Sequence, residues 1–301
     1  MKVAITGSTG FLGTALVANL RADGNEVLRL VRRPPQAADE VRWDPRAADA
    51  GLGDPEPLRG IDACVHLAGA GVASRRWTAR YKAEVKASRV LSTRALAGVL
   101  AKLTPQPQVF VCASAIGWYG ENSGVDETAP AGQGFLAGLV REWEEAANPA
   151  RDAGIRVVHT RSGLVMGGDG GILARFLPLA RFGVCPRLGP GTQVMSWIAK
   201  PDEIAAIRFV LDREDISGPV NLTAPGPATN SEFTAALNAA MGRPYLPWLR
   251  VPAWLLRLAI GEASVELLTS SRVTPRRLLE AGYEFRHPAI REALTAELAR
   301  T

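Results

Sequence analysis

Cysteine and histidine are both scarce in this chain, with three of each in 301 residues. Cys64, Cys112 and Cys185 lie far apart, which excludes a disulfide framework and a zinc-type ligand set. His66, His159 and His287 are equally isolated, so no metal site is expected. Long apolar runs are missing too. None approaches the ~18 residues of a membrane span, and the longest candidate, Val251 to Ile260, is broken by Pro252 and Arg257. Basic blocks are absent: the net charge is +5, but the arginines are scattered. Neither a membrane nor a nucleic acid is therefore expected as a partner. There is no internal repeat and no low-complexity linker. The apolar N-terminus is needed as a strand and holds Gly7 and Gly10, so no secretory leader is expected. With its dispersed thiols, the chain reads as cytoplasmic. What remains is a globular composition, 47% hydrophobic and 22% charged, long enough for a large α/β domain with a smaller appendage.

The first thirty-three residues carry the strongest pattern. Lys2-Val3-Ala4-Ile5-Thr6 is an apolar, strand-like run. Gly7-Ser8-Thr9-Gly10-Phe11-Leu12-Gly13 follows directly. Ala15, Leu16, Val17 and Leu20 then recur at helical spacing up to Gly24. Val27 to Val31 is a second apolar run, ending at Arg32-Arg33-Pro34. Strand, glycine turn, helix and strand in this order form the setting of a dinucleotide site. Gly7 permits the tight turn, Gly10 lets a pyrophosphate approach the backbone, and Gly13 lets the helix pack closely. The helix N-terminus offers free N–H groups to phosphates. The end of the second strand distinguishes the two dinucleotides. An acidic residue there would bond a ribose 2′-OH; Arg32, with Arg33 beside it, suits a 2′-phosphate instead. The expected cofactor is NADP(H).

Strand-like and helical patterns alternate through the rest of the first half. Strands are expected at Glu40–Trp43, Asp62–Gly69, Val109–Ser114 and Arg156–Arg161. Helices are expected from Trp77 to Leu103 and from Phe135 to Ala153, with a polar loop between Gly117 and Gly134. This predicts an α/β fold, a doubly wound parallel Rossmann sheet with a smaller, mainly helical C-terminal lobe. Residues 1–170 are expected to form the cofactor-binding domain, with the sheet completed by parts of 171–225, and residues 171–301 the lobe. There, a glycine-rich turn precedes a helix reaching Phe182, Ser196-Trp197-Ile198 is extended, and Val220 to Thr223 is a late strand. Thr229-Asn230-Ser231-Glu232 reads as a capping box. Pro275 and Pro288 mark helix starts.

Together these motifs resemble an extended short-chain dehydrogenase/reductase, in the atypical epimerase-like branch of the NAD-dependent epimerase/dehydratase family. The resemblance spans essentially the whole chain. Beyond the glycine turn it rests on Trp43-Asp44-Pro45, Val65–Gly69, Ser88-Arg89-Val90, Ser114–Gly120, Trp143–Ala147, Arg161–Gly167, Ser196-Trp197-Ile198, Asn221–Pro225 and Thr274–Tyr283. It implies cofactor contacts from Gly7, Thr9, Gly10, Phe11, Leu12, Gly13, Arg32 and Arg33. It also implies contacts from Leu67, Ala68, Gly69, Glu84, Arg89, Ala113 and Val165, and a substrate-orienting Ser114. A small-molecule substrate and a monomer or homodimer are expected.

One departure bears on mechanism. Short-chain dehydrogenases move protons with Tyr-x-x-x-Lys, in which one helical turn brings the lysine beside the phenol. None of the four tyrosines, Tyr81, Tyr119, Tyr245 and Tyr283, has a lysine four residues on. Phe135 and Leu139 occupy those places. Tyr119 is a candidate replacement acid, Asp126 and Glu127 are loop carboxylates, and His159 is a core histidine. Two functions follow. One is an NADP-dependent oxidoreductase or epimerase acting on a small carbonyl, hydroxyl or sugar-nucleotide compound. The other is a non-catalytic NADPH-sensing regulator or scaffold. A sugar-nucleotide epimerase holding tight NAD is disfavoured by Arg32.

Overall fold

The computed structural model describes every residue except 48, 49, 53, 54, 73, 74, 182, 184, 300 and 301, and every side chain among them except those of 175, 179 and 181. The chain begins with β1 (Lys2–Thr6), α1 (Phe11–Ala22), β2 (Glu26–Val31) and β3 (Glu40–Arg42). There follow β4 (Ala63–His66), α2 (Ala79–Leu100), β5 (Val109–Ala115) and β6 (Asn122–Val125). Next come α3 (Phe135–Glu145), α4 (Asn148–Asp152), β7 (Arg156–Ser162) and β8 (Leu164–Gly167). Among the described residues the remainder holds α5 (Leu173–Arg181), α6 (Lys200–Asp212), α7 (Asn230–Ala240), α8 (Ala253–Ile260), α9 (Val265–Leu268), α10 (Arg276–Glu280) and α11 (Ile290–Leu298).

The main sheet has seven strands in the order Gly218–Leu222, β7, β5, β4, β1, β2, β3, all paired in parallel. Strand residues alternate between two cores, as a period-2 backbone requires. Val3, Ile5, Val65, Val111 and Val158 pack with Leu16, Val17 and Leu20 of α1 and with Ile204, Ile207 and Val210 of α6. Ala4, Cys64, Phe110, Cys112 and Val157 pack on the other face with Leu96 and Leu100 of α2 and Ala150 of α4. Helices thus cover both faces, as a parallel sheet needs. A third core joins Trp197, Phe233, Phe176 and Leu294 in the C-terminal region.

The helical stretch expected from Phe135 to Ala153 is two helices, interrupted ahead of Pro149, which has no N–H to continue the ladder. The long α2 begins later than Trp77, at Ala79, because Thr78 caps it by accepting from the Tyr81 N–H. The capping box at Thr229 and Glu232 is present. The helix expected to reach Phe182 is α5; Phe182 itself lies outside the described residues. The polar loop after Gly117 contains β6, which pairs in parallel with Ser271–Val273. That contact pins the C-terminal region over the end of the sheet. Among the described residues no helix is long and apolar enough to cross a membrane.

Candidate functional site

The glycine turn joins β1 to α1. Gly7 has φ +68°, and a side chain there would press on the Leu67 and Ala68 backbone at about 3 Å. A Cβ on Gly13 would lie 2.1 Å from the Gly7 carbonyl oxygen. The third glycine therefore lets the helix fold against its own turn, rather than only against the sheet. Thr9 and Gly10 form the exposed crest. No side chain caps α1 and no acidic residue stands in its first turn, so its N-terminal N–H groups remain available to an anion. Ser8 Oγ is buried in this turn without a hydrogen-bond partner among the described residues. Phe11 and Leu12 turn inward. The Phe11 ring lies over Gly167, Gly170 and Gly171, where any Cβ would collide with it, and Leu12 packs on the α1 core.

At the end of β2 the two arginines differ. Arg33 grips Glu40 through two bonds of 2.7 Å and holds that carboxyl well below the usual carboxylate range. Arg32 is exposed, and no hydrogen bond or ion pair ties it to the described residues. Beyond β4, Leu67, Ala68 and Gly69 run over the strand ends, with the Ala68 N–H donating to Thr6 Oγ1 at 3.3 Å. The Arg89 guanidinium on α2 is 3.3 Å from where a Gly69 Cβ would stand. It stacks 5.0 Å from the Trp143 ring and donates to the Val85 carbonyl at 3.3 Å. Burial lowers its pKa to about 10. Glu84, on the same helix, is exposed and does not line the cavity described next. Ala113 packs beside Val90 and Trp143, and Val165 pairs with Ile198.

A cavity of about 730 Å³ opens between the C-terminal ends of β5 and β7, helices α2 and α3, and the C-terminal region. Arg89, Ser114 and Ser162 lie along it. Phe135 and Leu139 line it too, so the positions of the missing Tyr–Lys pair form an apolar wall. Trp77 stacks edge-on against Phe135 at 5.2 Å. Lys82, which also faces the cavity, pairs with Glu262.

Ser114 and Tyr119 belong to a buried polar network. Ser114 Oγ donates to Glu144 Oε1 at 2.6 Å. Arg161 grips both oxygens of Glu144 at 2.8 Å and donates to the Tyr119 hydroxyl at 3.0 Å. That hydroxyl donates to Asn221 Oδ1 at 2.7 Å. Burial works against the Arg161 charge, but the Glu144 bonds outweigh it and raise the pKa. Burial also lifts the Tyr119 phenol above its ordinary range, against the pull of Arg161. The structure brings Ser114 and Arg89 to the cavity and keeps Tyr119 away from it. A phenol with its proton held by Asn221 and its pKa raised is poorly placed to be an acid near neutrality.

On the opposite face of β7, Ser162 Oγ and Glu203 Oε1 lie 2.5 Å apart. Glu203 has no exposed surface, and burial pushes its carboxyl up to about 8. The loop carboxylates have structural roles. Asp126 accepts from the Thr128 N–H at 2.8 Å, and Glu127 accepts from the Asn221 N–H at 3.0 Å. His159 is buried, and burial lowers its pKa.

Sequence reasoning missed Glu144, Arg161, Asn221, Ser162 and Glu203 as a polar centre. One signal was legible. Arg161 interrupts a β-branched strand, and Glu144 follows Ala137 and Val140 on the inward stripe of α3. Two opposite charges on buried faces require each other.

Among known proteins, the model of the NAD dependent epimerase/dehydratase family matches residues 3–222. That of a domain of unknown function, DUF1731, matches residues 251–297. Epimerase family protein ML0860 of Mycobacterium leprae is 42% identical over 301 residues, spanning 99% of this chain and 96% of that protein. The human epimerase family protein SDR39U1 is 34% identical across 98% of both chains. A crystal structure of human SDR39U1 (isoform 2) with NADPH aligns over 100% of both chains, at 32% identity and a TM-score of 0.91. The chain belongs to the NAD dependent epimerase/dehydratase family.

Proposed function

We propose that this protein binds NADP(H) across the glycine turn and reduces or oxidises a small, largely apolar carbonyl or hydroxyl compound in the adjoining cavity. The observation that carries the cofactor reading is Arg32. It is an exposed, unpaired guanidinium at the strand end where a 2′-phosphate would lie, while its neighbour Arg33 is held by Glu40. The turn fits the rest of such a molecule: a cradle that a Cβ would fill, an uncapped helix N-terminus and the buried, unpartnered Ser8 hydroxyl. The NADPH bound in the human relative supports the same assignment. Gly7, Thr9, Gly10 and Gly13 would surround the pyrophosphate, and Leu67, Ala68 and Gly69 the adenosine and ribose. Arg89, Ala113 and Val165 would border the nicotinamide half. When bound, NADPH supplies a hydride.

The cavity supports the substrate class. Its walls are mainly apolar, with Phe135, Leu136, Leu139, Val140, Trp143 and Met195 among them. Polar side chains such as Ser114, Ser162, Gln133 and Asn230 punctuate these walls and would fix the orientation of the reacting group. Ser114 reaches the cavity with its own hydrogen given to Glu144, so it acts there as an acceptor that orients a hydroxyl. The three buried free thiols suit a cytoplasmic protein.

A titration with NADPH and NADH, in wild type and Arg32→Ala, tests the cofactor reading. Strong preference for NADPH that collapses in the variant is expected. Equal affinities in the wild type would overturn it. A second reading, an NADPH sensor without chemistry, is favoured by the internal bonding of Ser114 and Tyr119. Hydride transfer from NADPH to a bound carbonyl compound decides against it.

A further inference from the structure

Glu203 stands in the first turn of α6, fully buried against the sheet. Its Oε1 is 2.5 Å from Ser162 Oγ, and its Oε2 has no hydrogen-bond partner among the described residues. An ionised carboxylate with one oxygen buried and unpaired costs several kcal/mol, so the neutral acid is the stable form near pH 7. The groups facing it do not change this. Asp202, next in the helix, accepts from the Arg286 and His287 N–H groups. The Tyr283 hydroxyl donates to the Asp202 carbonyl at 2.9 Å. Strand β8 and the strand Trp197–Ala199 carry no titratable side chain. Cys112 lies in the core on the far side of the sheet, Arg161 turns to Glu144, and His159, two residues earlier, shares the Arg161 face. The one basic residue of α1, Arg21, pairs with Asp39.

A neutral carboxyl has a single O–H. On Oε2 that hydrogen would have no acceptor. Ser162 Oγ donates to a charged Glu203 Oε1; with the acid neutral and its hydrogen on Oε1 the bond reverses, Oε1 donating to Ser162 Oγ, which leaves the serine hydrogen free. Ser162 is half-buried and lines the cavity, in register with Ala115 at the end of β5. Its hydroxyl therefore has an acid behind it and the cavity in front.

We propose that Ser162 and Glu203 form a proton relay into the cavity, taking the place of the missing tyrosine and lysine. The proposal rests on the carbonyl–alcohol reading of the cavity, not on any particular substrate. In the reducing direction the carbonyl carbon takes a hydride from the reduced nicotinamide, which is oxidised. The carbonyl oxygen takes the Ser162 hydrogen, and Ser162 Oγ takes the Glu203 proton. The C=O π bond is lost, one C–H and one O–H bond form, and Glu203 is left as a carboxylate that regains its proton from water. Ser162 touches substrate and is the catalytic residue; Glu203 acts through it as a positioning residue.

Two measurements on the full chain test the relay. Infrared spectra of the protein alone at pH 7 should show a protonated-carboxyl band that Glu203→Gln removes. Ser162→Ala, with Glu203 intact, should shift that band. A missing band, or one unmoved in Ser162→Ala, overturns the relay whatever the cavity binds. Single-turnover oxidation of NADPH by phenanthrenequinone, an apolar dicarbonyl, is the second measurement. Ser162→Ala should slow it by about 100-fold, in the range of general acid catalysis, with NADPH affinity kept. Ser162→Thr should restore most of the rate, and Glu203→Gln should alter the pH profile of hydride transfer. A Ser162→Ala protein at the wild-type rate overturns the relay. No turnover by the wild type would sink the oxidoreductase reading, while the infrared bands still decide the relay.

Discussion

Arg161 and Ser162 are neighbours on β7, and their side chains leave the strand on opposite faces. On one face Arg161 meets Glu144, whose two oxygens receive three hydrogen bonds, two from Arg161 and one from Ser114. On the other, Ser162 meets Glu203, which has one bonded oxygen and one bare one. Both carboxyls are buried. The first is held charged by a guanidinium; the second is held neutral by burial. A satisfied pair fixes structure and has no proton to exchange. A half-satisfied one is less stable in place and retains a proton it can give. The opposition of these two carboxyls underlies the site.

The strongest way to break it is to remove Arg161. Arg161→Met leaves Glu144 buried with Ser114 as its only strong donor. A buried charge that loses its partner typically costs about 3–5 kcal/mol of stability. Urea denaturation at pH 7 should show a loss of that size. The double variant with Glu144→Met should lose less, because no charge is left stranded. A loss below about 1 kcal/mol for Arg161→Met would remove the distinction between the two faces.

Glu203→Gln should act in the opposite direction. The folded carboxyl titrates at about 8, above its ordinary 4.5. Between those values the folded protein binds a proton that the unfolded chain does not. Stability in the wild type must therefore fall as pH rises through this window, by about 1.4 kcal/mol per pH unit. Buried His66 and His159 are lowered by burial and slope the other way, but only below about 6.5, where the unfolded imidazole takes up a proton. Above about pH 6.5 the raised carboxyls remain, Glu203 and, sloping the same way, Glu127, which burial also raises, so the part due to Glu203 is the difference between wild type and variant. There the glutamine variant should flatten the curve and gain about 2 kcal/mol on the wild type. Parallel stability curves for the two proteins would show that Glu203 is ionised after all.

These two carboxyls also mark what the sequence could and could not reveal. The β1–α1–β2 unit was legible because its signals are local: an apolar run, a glycine turn and a helical stripe within thirty-three residues. The alternation of strands and helices gave the doubly wound sheet for the same reason. The pairing of β6 with Ser271–Val273 was hidden, since its partners are about 150 residues apart and β6, Asn122–Val125, carries little apolar pattern. Glu144 and Arg161 each broke an apolar pattern, so their burial could be read, but not that Ser114 and Tyr119 would join them. Glu203 gave no signal. An acidic residue in the first turn of a helix is ordinary complement to the helix dipole, and only the packing of α6 on the sheet shows it to be buried.

The same contrast of bonded and unbonded groups recurs at the end of β2. Arg33 is clamped by Glu40 and Arg32 is free, so the two should respond differently to truncation. Hydrogen bonds to a charged group contribute about 1.5–3 kcal/mol, which corresponds to roughly 10- to 150-fold in affinity. Arg32→Ala should lose that much for NADPH and nothing for NADH, as read by fluorescence titration. Arg33→Ala should lose less. A larger loss for Arg33 would mean that Glu40 releases it when the cofactor binds.

The smallest effect should come from Tyr119, the residue whose sequence position most suggested an acid. Its hydroxyl donates to Asn221 and accepts from Arg161, and it does not reach the cavity. Tyr119→Phe removes one donor and one acceptor from a buried network that keeps its central ion pair. The expected loss is about 1–2 kcal/mol of stability, with the NADPH oxidation rate unchanged. The carbonyl of Asn221 and one N–H of Arg161 are left to find other partners, which sets the upper end of that range. If the rate instead drops by tenfold or more, about the least expected on losing an acid, while stability is kept, the phenol is the proton source. The satisfied face of β7, and not its half-satisfied one, would then be the chemical face.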